Sequence, residues 1–378
     1  SSDLAEVDTD THMPEYTTCW SKSAALWFVK TDFRERDVTD RIDYIFEGQP
    51  AGGEAWQVAE GVFWIRMPLP FALDHINLWL LEDGDGWTVV DTGINREEIK
   101  DLWETVFTSV LGGRPVKRLI CTHYHPDHMG LAGWLTERLG VGMWATDGEW
   151  SMAAQVHAKD DADFSDELEV MYRKCGYDED FIGRVHERGN PYRRRAGSIP
   201  DPAHILADGD RVEIGRHSWQ VIVGRGHAPE HACLYSEKAG VLISGDQVLP
   251  KITPNISVQA GDREADPLAQ YLASLDLFEP LPDNTLVLPS HKWPFRGLKQ
   301  RLQSLRDHHA DRLEETLLGC VTPRTVREAV PILFRRELND HQLFFAIGEA
   351  LAHLNHLWKL GRLTRTVDED GIWRFVRS

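Results

Sequence analysis

The pattern of apolar and polar positions becomes regular from Gly61 onward. Gly61-Val-Phe-Trp-Ile-Arg-Met67 predicts a β-strand. Asn77-Leu-Trp-Leu-Leu81 and Trp87-Thr-Val-Val90 flank Asp83-Gly-Asp-Gly86, so they predict two strands joined by a tight hairpin turn. From Asn95 to Val110 the apolar residues Ile99, Leu102, Val106 and Val110 recur at helical spacing, with Asn95 as the N-cap. Val116 to Cys121 is a short apolar strand, a helix runs from about Met129 to Leu139, and Val141 to Ala145 is a further strand. Strands and helices that follow one another in this way predict a layered α/β domain.

Asp147 to about Arg195 breaks the rhythm with charged, helix-prone sequence and reads as an insertion. Strands resume at Arg211–Ile214, Trp219–Val223, Ala232–Tyr235 and Val241–Ser244. Asp266–Phe278 is helical, and Thr285–Leu288 is a last strand. Beyond Leu298 the pattern changes to three helical stretches, Lys299–Leu318, Thr325–Phe334 and Asp340–Leu360. Arg362–Val367 and Ile372–Val376 then flank the turn Asp368-Glu-Asp-Gly371. Three helices followed by a hairpin predict a winged-helix-like module. The chain thus divides into an extension that wraps the first domain (1–55), a main domain (56–297) with a helical insertion (147–195), and a winged-helix-like α+β module (298–378).

Composition narrows the setting. A chain of 378 residues has room for one large domain and a smaller one. It holds no run of about 18 apolar residues, so no membrane span is predicted. Ser1 to Asp10 lacks the basic start and apolar stretch of a secretory signal. The formal charge of −19 repels nucleic acid and anionic membranes at long range. Five cysteines, widely spaced and without a Cys-x-x-Cys pair, predict free thiols and a reducing, cytoplasmic setting.

The chemistry concentrates in His123-Tyr-His-Pro-Asp-His128, where four potential ligands fall where a strand ends and a helix begins. His123 and His125 can converge beside one ion if the chain bends, and Pro126 supplies that break. Asp127 and His128 then project from the first helical turn toward a second ion. Imidazole and carboxylate together suit zinc, with iron(II) or manganese also compatible. As a plain polar turn, the segment would crowd ionisable groups that repel one another or lose their hydration unless a cation compensates them. Asp91, His231, Asp246 and His291 each stand at a strand end, and His227 lies at its own turn. Any one alone reads as a turn or capping residue. Their shared position, beside the His-Asp cluster, points to a joint site.

These motifs, in the order Asp91; His123, His125, Asp127 and His128; His231; Asp246; His291, resemble those of the metallo-β-lactamase superfamily. The resemblance implies an α/β fold, an αβ/βα sandwich with two metal ions at one edge. It implies that His123, His125 and His231 hold one ion, that Asp127, His128 and His291 hold the other, that Asp246 bridges them, and that Asp91 orients a ligand. Many antibiotic-degrading members have cysteine where this chain has Asp246. The all-His/Asp set instead resembles glyoxalase II, the lactonases and tRNase Z, which disfavours β-lactam cleavage. Two cations would lower the pKa of a bridging water and so deliver hydroxide near neutral pH. Asp127 would move its proton.

Three segments are candidates for the substrate pocket. Phe71 to Asn77 could form an apolar flap, with Asn77 at its end. The insertion could act as a lid, with Tyr192 and Arg193-Arg-Arg195 as an anion patch or simply as a solvated charge run. Lys251 to Ser257 places Asn255 within reach. The segment from Arg301 carries about 12 basic and about 11 acidic residues, so it lacks the basic stripe of a nucleic-acid reader. His341, His353 and His356 lie on a helix made mostly of core residues. The module is therefore expected to pack, close the pocket or form a homodimer. Three functions fit: hydrolysis of a small-molecule acyl bond (thioester or lactone), phosphodiester cleavage in single-stranded RNA, and non-catalytic metal-dependent regulation. Charge favours the first over the second, and the full ligand set argues against the third.

Overall fold

The computed structural model describes residues 42–378. The first fifty-five residues were expected to wrap the main domain; residues 1–41 of that extension lie outside the described part. The described chain begins with β1 (Asp43–Tyr44), β2 (Trp56–Ala59), β3 (Val62–Pro68), β4 (His75–Asp83) and β5 (Gly86–Val90). It continues with α1 (Glu97–Ser109), β6 (Val116–Ile120), α2 (Pro126–Met129), α3 (Ala132–Leu139) and β7 (Met143–Thr146). The insertion consists of four helices, α4 (Asp147–Ala158), α5 (Asp161–Lys174), α6 (Glu179–Arg188) and α7 (Pro191–Arg195). Then come β8 (Pro202–Leu206), β9 (Arg211–Ile214), β10 (His217–Gly224), β11 (His231–Ser236), β12 (Val241–Gly245), α8 (Pro267–Leu275), β13 (Leu286–Pro289) and β14 (Phe295–Arg296). The C-terminal module is α9 (Leu298–Gly319), α10 (Val326–Leu333), α11 (Asp340–Lys359) and the antiparallel hairpin β15 (Leu363–Val367) with β16 (Trp373–Arg377).

Two seven-stranded sheets carry the main domain, in the orders β2-β3-β4-β5-β6-β7-β8 and β1-β14-β13-β12-β11-β10-β9. Strand alternation explains their layering. On β4, Trp79 and Leu81 point into a core shared with Val221, Leu234, Ile243 and Leu288 of the other sheet. Ile76, Leu78 and Leu80 point the opposite way, into a core with Ile99 and Trp103 of α1 and Leu135 of α3. The second sheet likewise packs outward through Cys233, Leu242 and Val287 against Leu268 and Tyr271 of α8 and Leu302 of α9. Helix, sheet, sheet, helix is the resulting αβ/βα sandwich, and it buries each sheet on both faces.

Several local expectations change. Asn95 does not cap α1. Arg96 takes that position without a side-chain hydrogen bond, and the Asn95 backbone N–H donates to the Arg195 carbonyl at 2.9 Å. The helix expected over 129–139 is broken between α2 and α3. β2 and β8 went unpredicted because they are largely exposed and show no clean apolar alternation.

The insertion and the C-terminal module share one core. Met171, Tyr172, Phe181 and Val185 of α5 and α6 pack with Val326, Ile347, Leu351, Leu354 and Phe375. α9 begins at Leu298 and contributes to two cores, with Leu302 beneath the second sheet and Leu317 in the C-terminal core. Among the described residues no helix is long and apolar enough to cross a membrane.

Candidate metal centre

β5 and β6 are parallel neighbours, so their C-terminal ends deliver Asp91 and Thr122 side by side. Asp91 sits at φ 63°, a left-handed conformation unusual outside glycine. That turn lets both carboxylate oxygens face Thr122: Oδ1 accepts from its backbone N–H at 2.7 Å and Oδ2 from its hydroxyl at 2.8 Å. Oδ2 also accepts from His128 Nδ1 at 2.8 Å. Asp91 therefore fixes the tautomer of His128 and leaves Nε2 to face the site. Pro126 starts α2, as the break after His125 requires.

Two ligand groups form at the sheet edge. His123, His125, His227 and Asp246 make one, and Asp127, His128 and His291 make the other. In the first, His123 Nε2 lies 2.9 Å from His125 Nδ1 and 3.3 Å from His227 Nε2. In the second, His291 Nε2 lies 3.5 Å from Asp127 Oδ2, and His128 Nε2 lies 3.8 Å from the same oxygen. Asp246 faces both groups with different oxygens. Oδ2 is 3.5 Å from His227 Nε2, while Oδ1 is 3.6 Å from His128 Nε2 and 3.4 Å from His291 Nε2.

The donor set fits divalent metal. Ligand atoms around a tetrahedral cation with bonds of about 2.0–2.1 Å stand about 3.3 Å apart, close to these separations. His128 Nε2 and Asp246 Oδ1 are buried with no hydrogen-bond partner among the described residues, a cost that a cation between them would remove. The far ring nitrogens are occupied: His227 Nδ1 donates to the Asn255 carbonyl and His291 Nδ1 to the His75 carbonyl, both at 2.9 Å. The imidazoles divide into two electrostatic classes. Burial and neighbouring imidazoles hold His123 and His125 well below the usual histidine range, so they stay neutral. Burial would also depress His128, but Asp91, Asp127 and Asp246 outweigh it and hold it up at about 9. Burial opposes ionisation of Asp246, yet His291 and His128 keep it far below the ordinary carboxylate range.

The structure gathers His123, His125, Asp127, His128, Asp246 and His291, but not His231. His227 takes that place. His231 is the first residue of β11, so its ring lies under the sheet edge and its Nε2 accepts the Asp246 backbone N–H at 3.0 Å. Gly226, at φ 101°, turns the preceding loop tightly against Tyr271 and throws His227 above the strand ends.

The expected pocket residues also shift. Asn77 is fully buried and occupied. Its Nδ2 donates to the Pro289 and Lys292 carbonyls at 2.8 Å, and its Oδ1 accepts from Trp64 Nε1 at 2.9 Å. It ties the two sheets together and has nothing left for a substrate. Tyr192 is buried, with its hydroxyl donating to the Tyr124 carbonyl at 2.6 Å, so it anchors α7 to the ligand motif. Arg193 is exposed on the outer side. Asn255 holds His227 through its carbonyl, while its side chain donates to Glu349 of α11 at 3.1 Å. Phe71 stacks on His341 of α11, ring centroids 5.3 Å apart.

Glu149 of α4 escaped the sequence reading because it stands in a charged, helix-prone stretch. It is fully buried, and burial pushes its carboxyl up to about 8. Its two oxygens accept from the Tyr124 N–H at 2.9 Å and the Glu230 N–H at 2.6 Å. One carboxylate thus joins the loop that carries His123 and His125 to the loop that carries His227.

Comparison with known proteins agrees with this geometry. Residues 72–291 match the model of the metallo-beta-lactamase superfamily, and residues 313–378 match that of the metallo-beta-lactamase-like C-terminal domain. A crystal structure of a beta-lactamase domain protein from Burkholderia ambifaria is 45% identical, with a TM-score of 0.84, covering 90% of this chain and 99% of that one. The probable metallo-hydrolase YqjP of Bacillus subtilis is 26% identical over 79% of this chain and 92% of its own. The human acyl-coenzyme A thioesterase MBLAC2 is 25% identical over 50% of this chain and 64% of its own. With a family model that matches residues 72–291 and so takes in every gathered ligand, the chain belongs to the metallo-β-lactamase superfamily, among its metal-dependent hydrolases.

Proposed function

We propose that the chain holds two zinc ions and hydrolyses an acyl bond, a thioester or a lactone, in a small molecule. The observation that carries this reading is Asp246, whose two oxygens face two separate ligand groups. In this reading His123, His125 and His227 hold one cation, and Asp127, His128 and His291 hold the other. Two divalent cations there would supply a water that ionises near neutral pH and a positive field for the carbonyl oxygen. The protein's own part is to hold the geometry and move protons. Asp91, the Asn255 carbonyl and the His75 carbonyl fix three imidazoles. The Asp127 side chain is the most open of the carboxylates at the site, so it takes the proton of the attacking water and passes it to the leaving group.

The charge of −19 favours a small molecule over a polyanion. The human relative is an acyl-coenzyme A thioesterase, which supports acyl chemistry. The four described cysteines are free and buried, which suits a cytoplasmic protein. The test is a panel of thioesters, lactones, phosphodiesters and β-lactams on protein purified without chelator, alongside elemental analysis. Close to two metal ions per chain and turnover of an acyl substrate are expected. Metal-free protein, or phosphodiester turnover alone, would overturn the reading.

A further inference from the structure

Beside the metal centre, three parts of the chain meet: Phe71 of the flap, Arg195 at the end of α7, and His341 in the first turn of α11. The Arg195 guanidinium lies 4.8 Å from the centre of the Phe71 ring, with Nη1 3.5 Å from His341 Nε2. Arg188 stands over Phe344 at 4.0 Å. Neither arginine has a carboxylate within ion-pair distance among the described residues. The acids nearby are engaged elsewhere: Asp161 by Arg194 at 3.3 Å and Asp340 by Arg184 at 3.0 Å.

That arrangement is unfavourable as it stands. Arg188, Arg194 and Arg195 repel one another, and burial together with that repulsion depresses both Arg188 and Arg195. His341 is depressed by burial and then by the same two arginines, so it stays neutral. A chain with 60 acidic residues against 41 basic ones has ample means to neutralise two half-buried guanidinia. Here both stay partly buried with no acid paired to them among the described residues. α7, which ends at Arg195, packs against α2, the helix that carries Asp127 and His128, so Arg195 stands close to the metal centre.

Arg195 is also held in place. Asn190 caps α7 and donates to the Val156 and Lys159 carbonyls at 2.8 and 3.0 Å. Tyr192 ties the helix to Tyr124, between His123 and His125. The Arg195 carbonyl accepts from the Asn95 N–H, and Gly197 donates to the Gly130 carbonyl at 2.8 Å, just past α2. The base of the side chain is therefore fixed relative to the ligands, and a planar fork of N–H donors is what a carboxylate or phosphate requires.

We propose that Arg195, backed by Arg188 and His341, binds an anionic group, a carboxylate or a phosphate, that the substrate carries away from the bond to be cleaved. This rests on the acyl-hydrolase reading and adds a substrate class to it: acyl compounds with a negatively charged leaving or acyl arm. Arg193, which the sequence put forward, is not part of this subsite.

The test separates binding from turnover and uses non-hydrolysable probes in matched pairs, titrated calorimetrically into the metal-loaded full chain. S-methyl-coenzyme A is paired with S-methylpantetheine, and (methylthio)succinate with its dimethyl ester. At least one anionic probe should bind about tenfold tighter than its neutral partner, the scale of one charge-assisted contact. That preference should shrink as salt rises from 0.1 to 1 M, where the screening length falls from about 10 to about 3 Å. Arg195→Met, which keeps the stem packed on Phe71, should abolish it, whereas Arg173→Ala, on an exposed ion pair with Glu169 and Glu179, should not. A preference confined to the coenzyme A pair identifies phosphate, and one confined to the succinate pair identifies carboxylate. No preference in either pair, or a preference that survives in Arg195→Met, overturns the subsite. If the preference holds but no thioester or lactone is turned over, the subsite stands and the acyl-hydrolase reading fails.

Discussion

The chain contains two clusters of buried histidines, and they behave in opposite ways. At the sheet edge, imidazole nitrogens converge to about hydrogen-bond distance, carboxylates stand among them, and most far nitrogens are held by oxygens. Between α9 and α11, the rings of His309 and His353 pack at a tilt of 35° with centroids 5.6 Å apart, and Tyr271 adds an edge contact to His309. There the far nitrogens find nothing: both nitrogens of His309 and Nε2 of His353 have no partner among the described residues. Burial depresses His309 to about 2 and His353 to about 4, so both are neutral aromatic filling. The number of histidines does not make a metal site. Converging lone pairs with acid groups among them do.

The comparison can be broken most decisively at Asp246. Asp246→Ala should remove the shared ligand, drop metal content well below two ions per chain and cut turnover at least about a thousandfold, about 4 kcal/mol of barrier. Elemental analysis with kinetics reads both; full metal occupancy would dismantle the picture of a shared carboxylate. The paired histidines come next. His227→Ala should lose one ion, whereas His231→Ala should keep both and lower stability by about 1–3 kcal/mol, because the Asp246 N–H is left unpaired. Equal metal loss in the two variants would restore His231 as a ligand. Glu149→Gln can accept only one of the two N–H groups that Glu149 joins. It should weaken metal binding about 10- to 100-fold, measured by competition with a chromophoric chelator.

The other cluster gives an effect of pH rather than of metal. His353 is neutral when folded and titrates near 4, against about 6.5 when unfolded. The unfolded chain therefore binds the extra proton first as pH falls. The stability lost through this residue accumulates from about pH 6.5 down to about 4, at up to about 1.4 kcal/mol per pH unit. The difference in urea stability between wild type and His353→Gln across that window isolates it from the metal ligands. Parallel profiles would mean that His353 gains a proton while folded.

Much of this molecule could be read in advance, for identifiable reasons. The main strands alternate, and six of the seven gathered ligands lie in motifs that announce themselves by density or by position at strand ends. The sequence put His231 forward where the structure gathers His227, because the choice depends on the path of a turn set by Gly226. Asn77 and Tyr192 misled because polarity does not show whether a side chain's hydrogen bonds are already made within the protein. Glu149 hid in a run that looks solvated, since burial of a single carboxylate depends on two distant loops closing over it.

The core common to α5, α6 and the C-terminal module has a consequence for how the chain leaves the ribosome. Val185 emerges long before Val326, and at roughly 5–20 residues per second the interval is on the order of ten seconds. Throughout it, Met171, Phe181 and Val185 lack their C-terminal packing partners, and by its last part, once Arg296 has emerged, every strand of both sheets has been made. The insertion is thus synthesised early and sealed last. A nascent chain stalled before its final helix would present a greasy surface to chaperones next to a hydrolase centre that is otherwise assembled.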